Sequence, residues 1–186
     1  MHNPRLASRY AKSLMDISLE QNALENVIND MYLIDQVCKK NKDFVNMVKQ
    51  PIIKADKKGA IIKAIFSGKI SQLTEKFILL LINKGREQYL DEIVTAFIAQ
   101  YRHNKKIRMV KLTTAAPVGD TVVDVIKTKL QSKFPDSTIN IETNINPELL
   151  GGFLLDLGSE QMDASVIRDL NDIKKQFNQN LYVAKI

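Results

Sequence analysis

The side chains that most often carry out catalysis are scarce in this sequence. Its 186 residues include two histidines, His2 and His103, and one cysteine, Cys38. A zinc-protease helix, a histidine-based triad and a Cys/His zinc cluster all need more of these side chains at closer spacing. Cys38 lies on an apolar helical stripe, which favours a buried core residue over a reactive thiol. We therefore expect no catalytic residue, no metal site and no internal disulfide, as in a reducing compartment.

Two glycine-containing segments match phosphate-binding motifs only in part. Gly68-Lys69 is followed by Ile70, where a P-loop needs Ser or Thr to bind magnesium. Gly151-Gly152 lacks a third glycine at the dinucleotide-binding spacing, and a strand rather than a helix is expected after it. We expect no nucleotide site and no other cofactor.

Three carboxylates lie close together in the sequence: Asp156, Glu160 and Asp163. Such a group could hold a cation or act as an acid/base pair. The segment lacks the alternating ligand pattern and the glycine of a calcium loop, however. We interpret the three side chains as surface turn residues.

The net charge of +6 is concentrated in the first part of the chain. Residues 1–106 hold 18 basic and 11 acidic side chains, whereas residues 107–186 hold 9 and 10. Only six of the 27 basic residues are Arg, although nucleic-acid binders usually add Arg forks and exposed aromatic rings. We interpret the following lysines as a solvated face: Lys39, Lys40, Lys42, Lys54, Lys57, Lys58 and Lys63. An acidic protein partner or anionic lipid headgroups remain open alternatives.

Helical periodicity dominates residues 1–106. Apolar residues recur at spacings of three and four, and the pattern predicts six short helices that pack as a bundle. Ser71 is a predicted N-cap of the fifth helix, and Gly85 is its predicted C-terminal cap. The basic run Arg102 to Lys106 is the predicted boundary of this first domain.

From residue 107 the pattern changes to alternation. Residues 107–114, 139–145 and 153–157 alternate as half-buried strands do, and helical patterns lie between the first two and after the third. Residues 107–186 are therefore predicted to form a small β-α-β-β-α domain. The fold class is α+β.

Helix five is predicted to be apolar on every side. Phe77 to Ile82 are six consecutive apolar residues, whereas a helix that buries one face needs only a stripe. The helix is either surrounded by its own bundle or leaves one face as a groove for a partner's amphipathic helix. From the pattern alone the two alternatives stay open.

Three segments carry a resemblance to one family. The segment Ser8-Arg9-Tyr10-Ala11-Lys12-Ser13-Leu14 resembles the first-helix motif of the delta subunit of the F-type ATP synthase, the oligomycin-sensitivity-conferring protein of mitochondria. Asn83-Lys84-Gly85-Arg86 is similar to its turn after helix five. Residues 146–153 and 162–166 resemble its carboxy-terminal signature, although the family often has glycine where this chain has Ala164. Alanine would be strained there if the position required positive φ.

The resemblance implies a stator subunit without chemistry of its own. In the family it links the catalytic head to the peripheral stalk, so that proton-driven rotation is coupled to ATP synthesis. The amino-terminal bundle binds the amino-terminal helix of an alpha subunit through helices one and five, and the carboxy-terminal domain contacts the b subunit. The residues predicted to bind the alpha helix are Ala7, Tyr10, Ala11, Leu14, Phe77, Ile78, Leu81 and Ile82.

The expected location is the cytoplasmic face of the cell membrane, with membrane association only indirect through the complex. This follows because no signal or transit peptide is recognised at the amino terminus. The main rival hypothesis is a basic helical protein that binds nucleic acid or an anionic membrane surface, with an affinity that falls steeply as salt rises. An enzyme of unfamiliar type is a second rival, but no spacing indicates its pocket.

Overall fold

A computed structural model describes residues 3–158 and 160–178. The chain divides into two units, residues 1–104 and 105–186, close to the predicted boundary after residue 106. Each unit has its own apolar core.

The first unit contains six α-helices, as the periodicity predicts. They are α1 (Pro4–Glu20), α2 (Leu24–Lys40), α3 (Lys42–Lys49), α4 (Ala55–Phe66), α5 (Gln72–Asn83) and α6 (Leu90–Asn104), with a 3-10 turn at Glu87–Tyr89. Helix α6 packs against both α1 and α2, and its buried stripe includes Ile93, Phe97 and Tyr101. The core of the bundle forms where these apolar stripes meet.

Both ends of α5 are fixed by specific hydrogen bonds. The Ser71 hydroxyl accepts a bond from the Thr74 amide and so acts as the N-cap. The buried Asp30 carboxylate of α2 accepts bonds from the Ser71 amide, the Ser71 hydroxyl and the Thr74 hydroxyl, at 2.9, 2.6 and 2.7 Å. At the other end Gly85 adopts a φ of +64°, and the Arg86 amide donates to the Leu81 carbonyl. This is the Schellman geometry that favours glycine, so both predicted caps are observed.

The predicted solvated lysine face includes one residue that is not solvated. Lys58 is only 1% exposed, and its Nζ donates to Glu87 Oε1 at 2.7 Å and to the Val48 carbonyl at 2.9 Å. The prediction was wrong for this residue because Glu87 is distant in sequence and supplies the charge that allows a lysine to be buried. The other six lysines of the predicted face are exposed.

The second unit is a four-stranded sheet with two helices. Its elements are β1 (Ile107–Thr114), α7 (Asp120–Lys133), β2 (Thr138–Ile145), β3 (Gly152–Asp156), β4 (Gln161–Ser165) and α8 (Val166–Asn178). The strand order is β2-β1-β3-β4, with β1 and β2 parallel and the other pairs antiparallel. Val110, Leu112 and Leu155 lie in its core, together with Leu130 of α7 and Ile139 of β2.

Strand β4 was not predicted, so the unit is β-α-β-β-β-α. Its residues Gln, Met, Asp, Ala and Ser carry little intrinsic strand preference, and pairing with β3 imposes the extended conformation. Ala164 lies in this strand opposite Phe153 and is not among the residues with positive φ. The backbone strain considered for an alanine at this position therefore does not arise. Gly152 is the constrained position instead, since its φ is +74° and an added Cβ would lie 2.1 Å from the Ala164 carbonyl oxygen.

Candidate functional site

The structure places most of the predicted partner-binding residues inside the bundle. Seven of the eight are buried: Ala7, Ala11, Leu14, Phe77, Ile78, Leu81 and Ile82. Tyr10 is half-buried and reaches the surface. The seven buried side chains hold α1 and α5 in the bundle and are not accessible to another chain in this conformation.

A different set of apolar side chains on the same two helices is accessible. On α1 it follows the face of Leu6, Tyr10 and Ile17, with Ile17 40% exposed. On α5 it is formed by Leu73, which is half-buried, and Leu80, which is 46% exposed. Residues seven apart lie on one face of a helix, so Leu73 and Leu80 form a short stripe. We call these five residues the α1/α5 face. The two-sided apolar pattern of helix five is thus explained by a core side and a partly open side.

An open cleft of about 550 Å³ begins at the amino-terminal part of α1 and reaches the turn after α5. Its lining includes three arginines, Arg5, Arg9 and Arg86, beside Leu6 and Tyr10 of the α1/α5 face. Arg5 and Arg9 are one helical turn apart on α1, and the Gly85 cap brings Arg86 to the same cleft. The motifs that contain Arg9 and Arg86 are recognisable in the sequence, but the meeting of three arginines was not predicted from it.

The second unit exposes an apolar stripe on α8. Val166, Leu170, Ile173 and Phe177 follow one another at spacings of four, three and four, and each is at least 43% exposed. An amphipathic helix in a globular domain normally buries such a stripe. Here the stripe is only partly covered, with Val166 beside Gly151 and Phe177 almost fully open. From the sequence this helix was predicted only as the last element of the fold.

The three neighbouring carboxylates have local roles. Asp156 accepts a hydrogen bond from the Gly158 amide, and Glu160 lies 3.4 Å from the Lys133 ammonium. The hydrogen bonds from Ser165 lower the pKa of the Asp163 carboxyl. These contacts are those of turn and surface residues. Within the described residues there is no group of three or more His, Cys, Asp or Glu side chains arranged to hold a metal ion.

The single cysteine is shielded. Cys38 is half-buried, and burial, together with the nearby Asp91 and Asp35 carboxylates, raises the pKa of its thiol to about 11. A thiol of this kind is almost entirely protonated at neutral pH and is a poor nucleophile. His103 is exposed near the end of α6. Over the residues described, none of the helices combines the length and the apolar character needed to cross a membrane.

Two units that each present partly exposed apolar side chains along a helix are typical of an adaptor, a protein whose role is to dock other chains. The sequence pattern of one family, the ATP synthase delta (OSCP) subunit, matches residues 6–177. The chain belongs to that family, whose members are peripheral-stalk components of the F-type ATP synthase, and the resemblance of its motifs is confirmed.

Curated relatives agree over almost the full length. The ATP synthase subunit delta of Cytophaga hutchinsonii is 38% identical over 97% of this chain and 98% of its own. The subunit delta of Christiangramia forsetii is 30% identical over 100% of both chains. A chain of the Toxoplasma gondii mitochondrial ATP synthase hexamer has a similar fold, with a TM-score of 0.70 and 23% identity over 95% of this chain and 99% of that one. The predicted α+β fold class is confirmed.

Proposed function

We propose that this subunit is a non-catalytic tether that links the catalytic head of the ATP synthase to its peripheral stalk. The first unit binds the amino-terminal helix of an alpha subunit, and the second unit binds the b subunit. The observation that carries the proposal is that each unit leaves apolar helix side chains partly exposed, so each unit has a surface on which a partner can dock. Membrane association is indirect, through the complex at the cytoplasmic face, and no nucleic acid takes part.

The alpha contact is assigned to helices α1 and α5, through the α1/α5 face. The buried residues predicted from the sequence anchor α1 and α5 in the core of the bundle. Leu80 and Ile17 are each exposed by about two fifths, so burying the remainder contributes about 1 kcal/mol per side chain. Leu6, Tyr10 and Leu73 are half-buried and contribute less. The five side chains give useful affinity only if the partner is an amphipathic helix that covers them together, because association itself is costly.

The b contact is assigned to the α8 stripe. The apolar residues repeat at spacings of three and four, which is the pattern that pairs with another amphipathic helix. Phe177 is 85% exposed and has the largest apolar area to lose on docking. On other sides of α8 lie charged residues, among them Arg168, Asp169, Asp172 and Lys175, which keep the helix soluble before assembly.

The two contacts are tested by calorimetric titration of the full chain with two peptides from the same organism. The chain has no tryptophan, so heat is the practical signal. One peptide is the amino-terminal segment of the alpha subunit and the other is the carboxy-terminal segment of the b subunit. Saturable binding of both, at both low and high salt, is the expected result.

Paired variants assign each peptide to its surface. Leu80→Asp should abolish alpha binding and leave b binding intact, whereas Ile52→Asp, at an 84% exposed site outside both helices, should change neither. Ile173→Asp should abolish b binding, with Val125→Asp on α7 as its matched control. Failure of the wild-type chain to bind either peptide, or equal effects of the site and control variants, would contradict the proposal. Tight binding to nucleic acid, with an affinity that falls steeply as the salt concentration rises, would favour the rival hypothesis of a basic nucleic-acid-binding protein.

A further inference from the structure

Contacts within the subunit do not explain why Arg5, Arg9 and Arg86 line one cleft, which we call the arginine cleft. None of its three guanidinium groups forms an ion pair or side-chain hydrogen bond among the described residues, although exposed acids are available elsewhere on the bundle. The chain uses lysine for most of its positive charge and has only six arginines, yet three of them line this one cleft. Arginine differs from lysine in its planar fork, which matches a carboxylate in two places.

The position of the arginines also weakens the helix that carries two of them. Arg5 and Arg9 are like charges four residues apart, which repel one another on a helix surface. Arg5 lies in the first turn of α1, at the positive end of the helix dipole, and that turn contains no acidic residue. Glu92 accepts a hydrogen bond from the Asn3 amide next to this turn, but it does not line the cleft. An external anion would relieve both unfavourable interactions.

From these observations we infer that the cleft of Arg5, Arg9 and Arg86 recognises carboxylate side chains on the alpha-subunit segment that docks on the α1/α5 face. The inference rests on the proposed alpha contact, because Leu6 and Tyr10 belong to both the face and the cleft lining. A helix that lies on the apolar face presents its polar edge to the arginines. Acidic residues along that edge fix the register and direction of the helix, which apolar contacts alone specify poorly.

A small free anion is a weaker fit to the same site. The cleft is open to solvent and, at about 550 Å³, is much larger than one phosphate ion. A small ion would stay largely hydrated there and would be screened by salt. A carboxylate on an anchored helix is held in place by the apolar contacts, so the ion pairs form without a separate loss of translational freedom.

The first test is to examine the amino-acid sequence of the alpha segment. The second is to measure the binding of that segment to two charge-matched variants of the full chain. The inference requires acidic residues on one edge of the segment; a segment without them overturns it. Arg5→Gln, Arg9→Gln and Arg86→Gln are combined in one variant. Lys40→Gln, Lys54→Gln and Lys57→Gln form the control, because all three lysines are exposed and both sets lower the net charge equally.

The arginine variant should bind the alpha peptide about tenfold more weakly at low salt, since each exposed ion pair is worth roughly two- to threefold. The lysine variant should bind as the parent does. The difference should shrink at high salt, and a peptide with its acids changed to amides should bind the parent and the arginine variant equally. Circular dichroism confirms that all variants fold.

Other outcomes separate the inference from the function on which it rests. If the arginine variant binds as tightly as the parent, or both variants weaken equally, the inference is wrong while the alpha contact stands. If inorganic phosphate displaces the peptide more strongly than chloride at matched ionic strength, the cleft is a phosphate site and the inference is again wrong. If the parent does not bind the peptide at all, the alpha contact fails and the inference fails with it.

Discussion

Replacing Lys58 by Met tests whether the buried ion pair holds the turn after α5. Met keeps most of the length of the lysine stem and removes its charge. The lysine Nζ lies 2.7 Å from Glu87 Oε1 and 2.9 Å from the Val48 carbonyl. The substitution therefore removes both the ion pair with Glu87 and the hydrogen bond to the Val48 carbonyl. Glu87 follows Arg86 directly, and the pair therefore also positions one arginine of the cleft.

The magnitude follows from what the substitution leaves behind. The Glu87 side chain is 14% exposed, and its Oε2 atom has no hydrogen-bond partner within the described residues. Removing the lysine thus leaves a largely buried carboxylate without its counter-charge, which costs about 3 to 5 kcal/mol of the free energy of unfolding. A domain is commonly stable by only about 5 to 15 kcal/mol, so the loss is large. Combining Lys58→Met with Glu87→Leu should recover most of it, because no unpaired charge remains.

The assay is urea unfolding of the parent, the two single variants and the double variant, followed by circular dichroism. The two units can unfold in separate transitions, and only the transition of the helical unit should shift. Lys57→Met is the matched control, since this neighbouring lysine is exposed and should change stability by less than about 0.5 kcal/mol. A loss below about 1 kcal/mol for Lys58→Met, or a double variant as unstable as the single one, would refute the reasoning.

Three further predictions concern the backbone at Gly152, the core of the helical bundle and the Cys38 thiol. Gly152→Ala should destabilise the second unit by at least about 2 kcal/mol, because the new Cβ would lie 2.1 Å from a carbonyl oxygen of β4. Gly158→Ala is the control, since it has open space around it and should cost only about 1 kcal/mol. Chemical denaturation measures both losses. Ile82→Asp buries a charge at a 4% exposed site and should abolish the cooperative melting of the bundle, whereas Leu80→Asp should leave the helical circular dichroism unchanged. Cys38 should react with iodoacetamide about a hundredfold more slowly at pH 8 than a free thiol, because its raised pKa of about 11 leaves little thiolate, and the rate should climb as pH approaches that value. A rate equal to that of urea-unfolded protein would contradict this. Since the pKa of this thiol is raised in the folded chain, stability should fall as pH rises above the ordinary thiol value of 9.0.

Periodicity predicted the elements of this fold because it reflects burial directly. Stripes at spacings of three and four gave all six helices of the first unit, and alternation gave β1, β2 and β3. Strand β4 was missed because its polar residues acquire an extended conformation only through pairing with β3. The burial of Lys58 was missed for a related reason, since its partner Glu87 is 29 residues away. Sequence patterns report local preference, and both misses depend on contacts between distant residues.

The candidate site was predicted at the level of helices and not of side chains. An all-apolar helix must have a core side and a second side, but a helical wheel does not say which of Ile82 and Leu80 faces the bundle. That choice is made by the packing of the other helices, for example Leu79 against Gly59 of α4, where an added Cβ would lie 3.7 Å from the leucine. The arginine cleft depends in the same way on the turn that brings Arg86 beside α1.

The contacts that fix both ends of α5 should affect how tightly the subunit binds the alpha peptide. Asp30 anchors the first turn of the helix to α2, and the Gly85 cap together with the buried Lys58–Glu87 pair anchors the residues after its last turn. A surface fixed at both ends loses little conformational freedom when a partner docks, so more of the contact energy appears as affinity. Loosening either anchor should therefore weaken alpha binding even though neither Asp30 nor Glu87 belongs to the α1/α5 face. A variant such as Asp30→Asn that remains folded but binds the alpha peptide less tightly would reveal this contribution, whereas unchanged affinity would show that the apolar stripe binds without support from its ends.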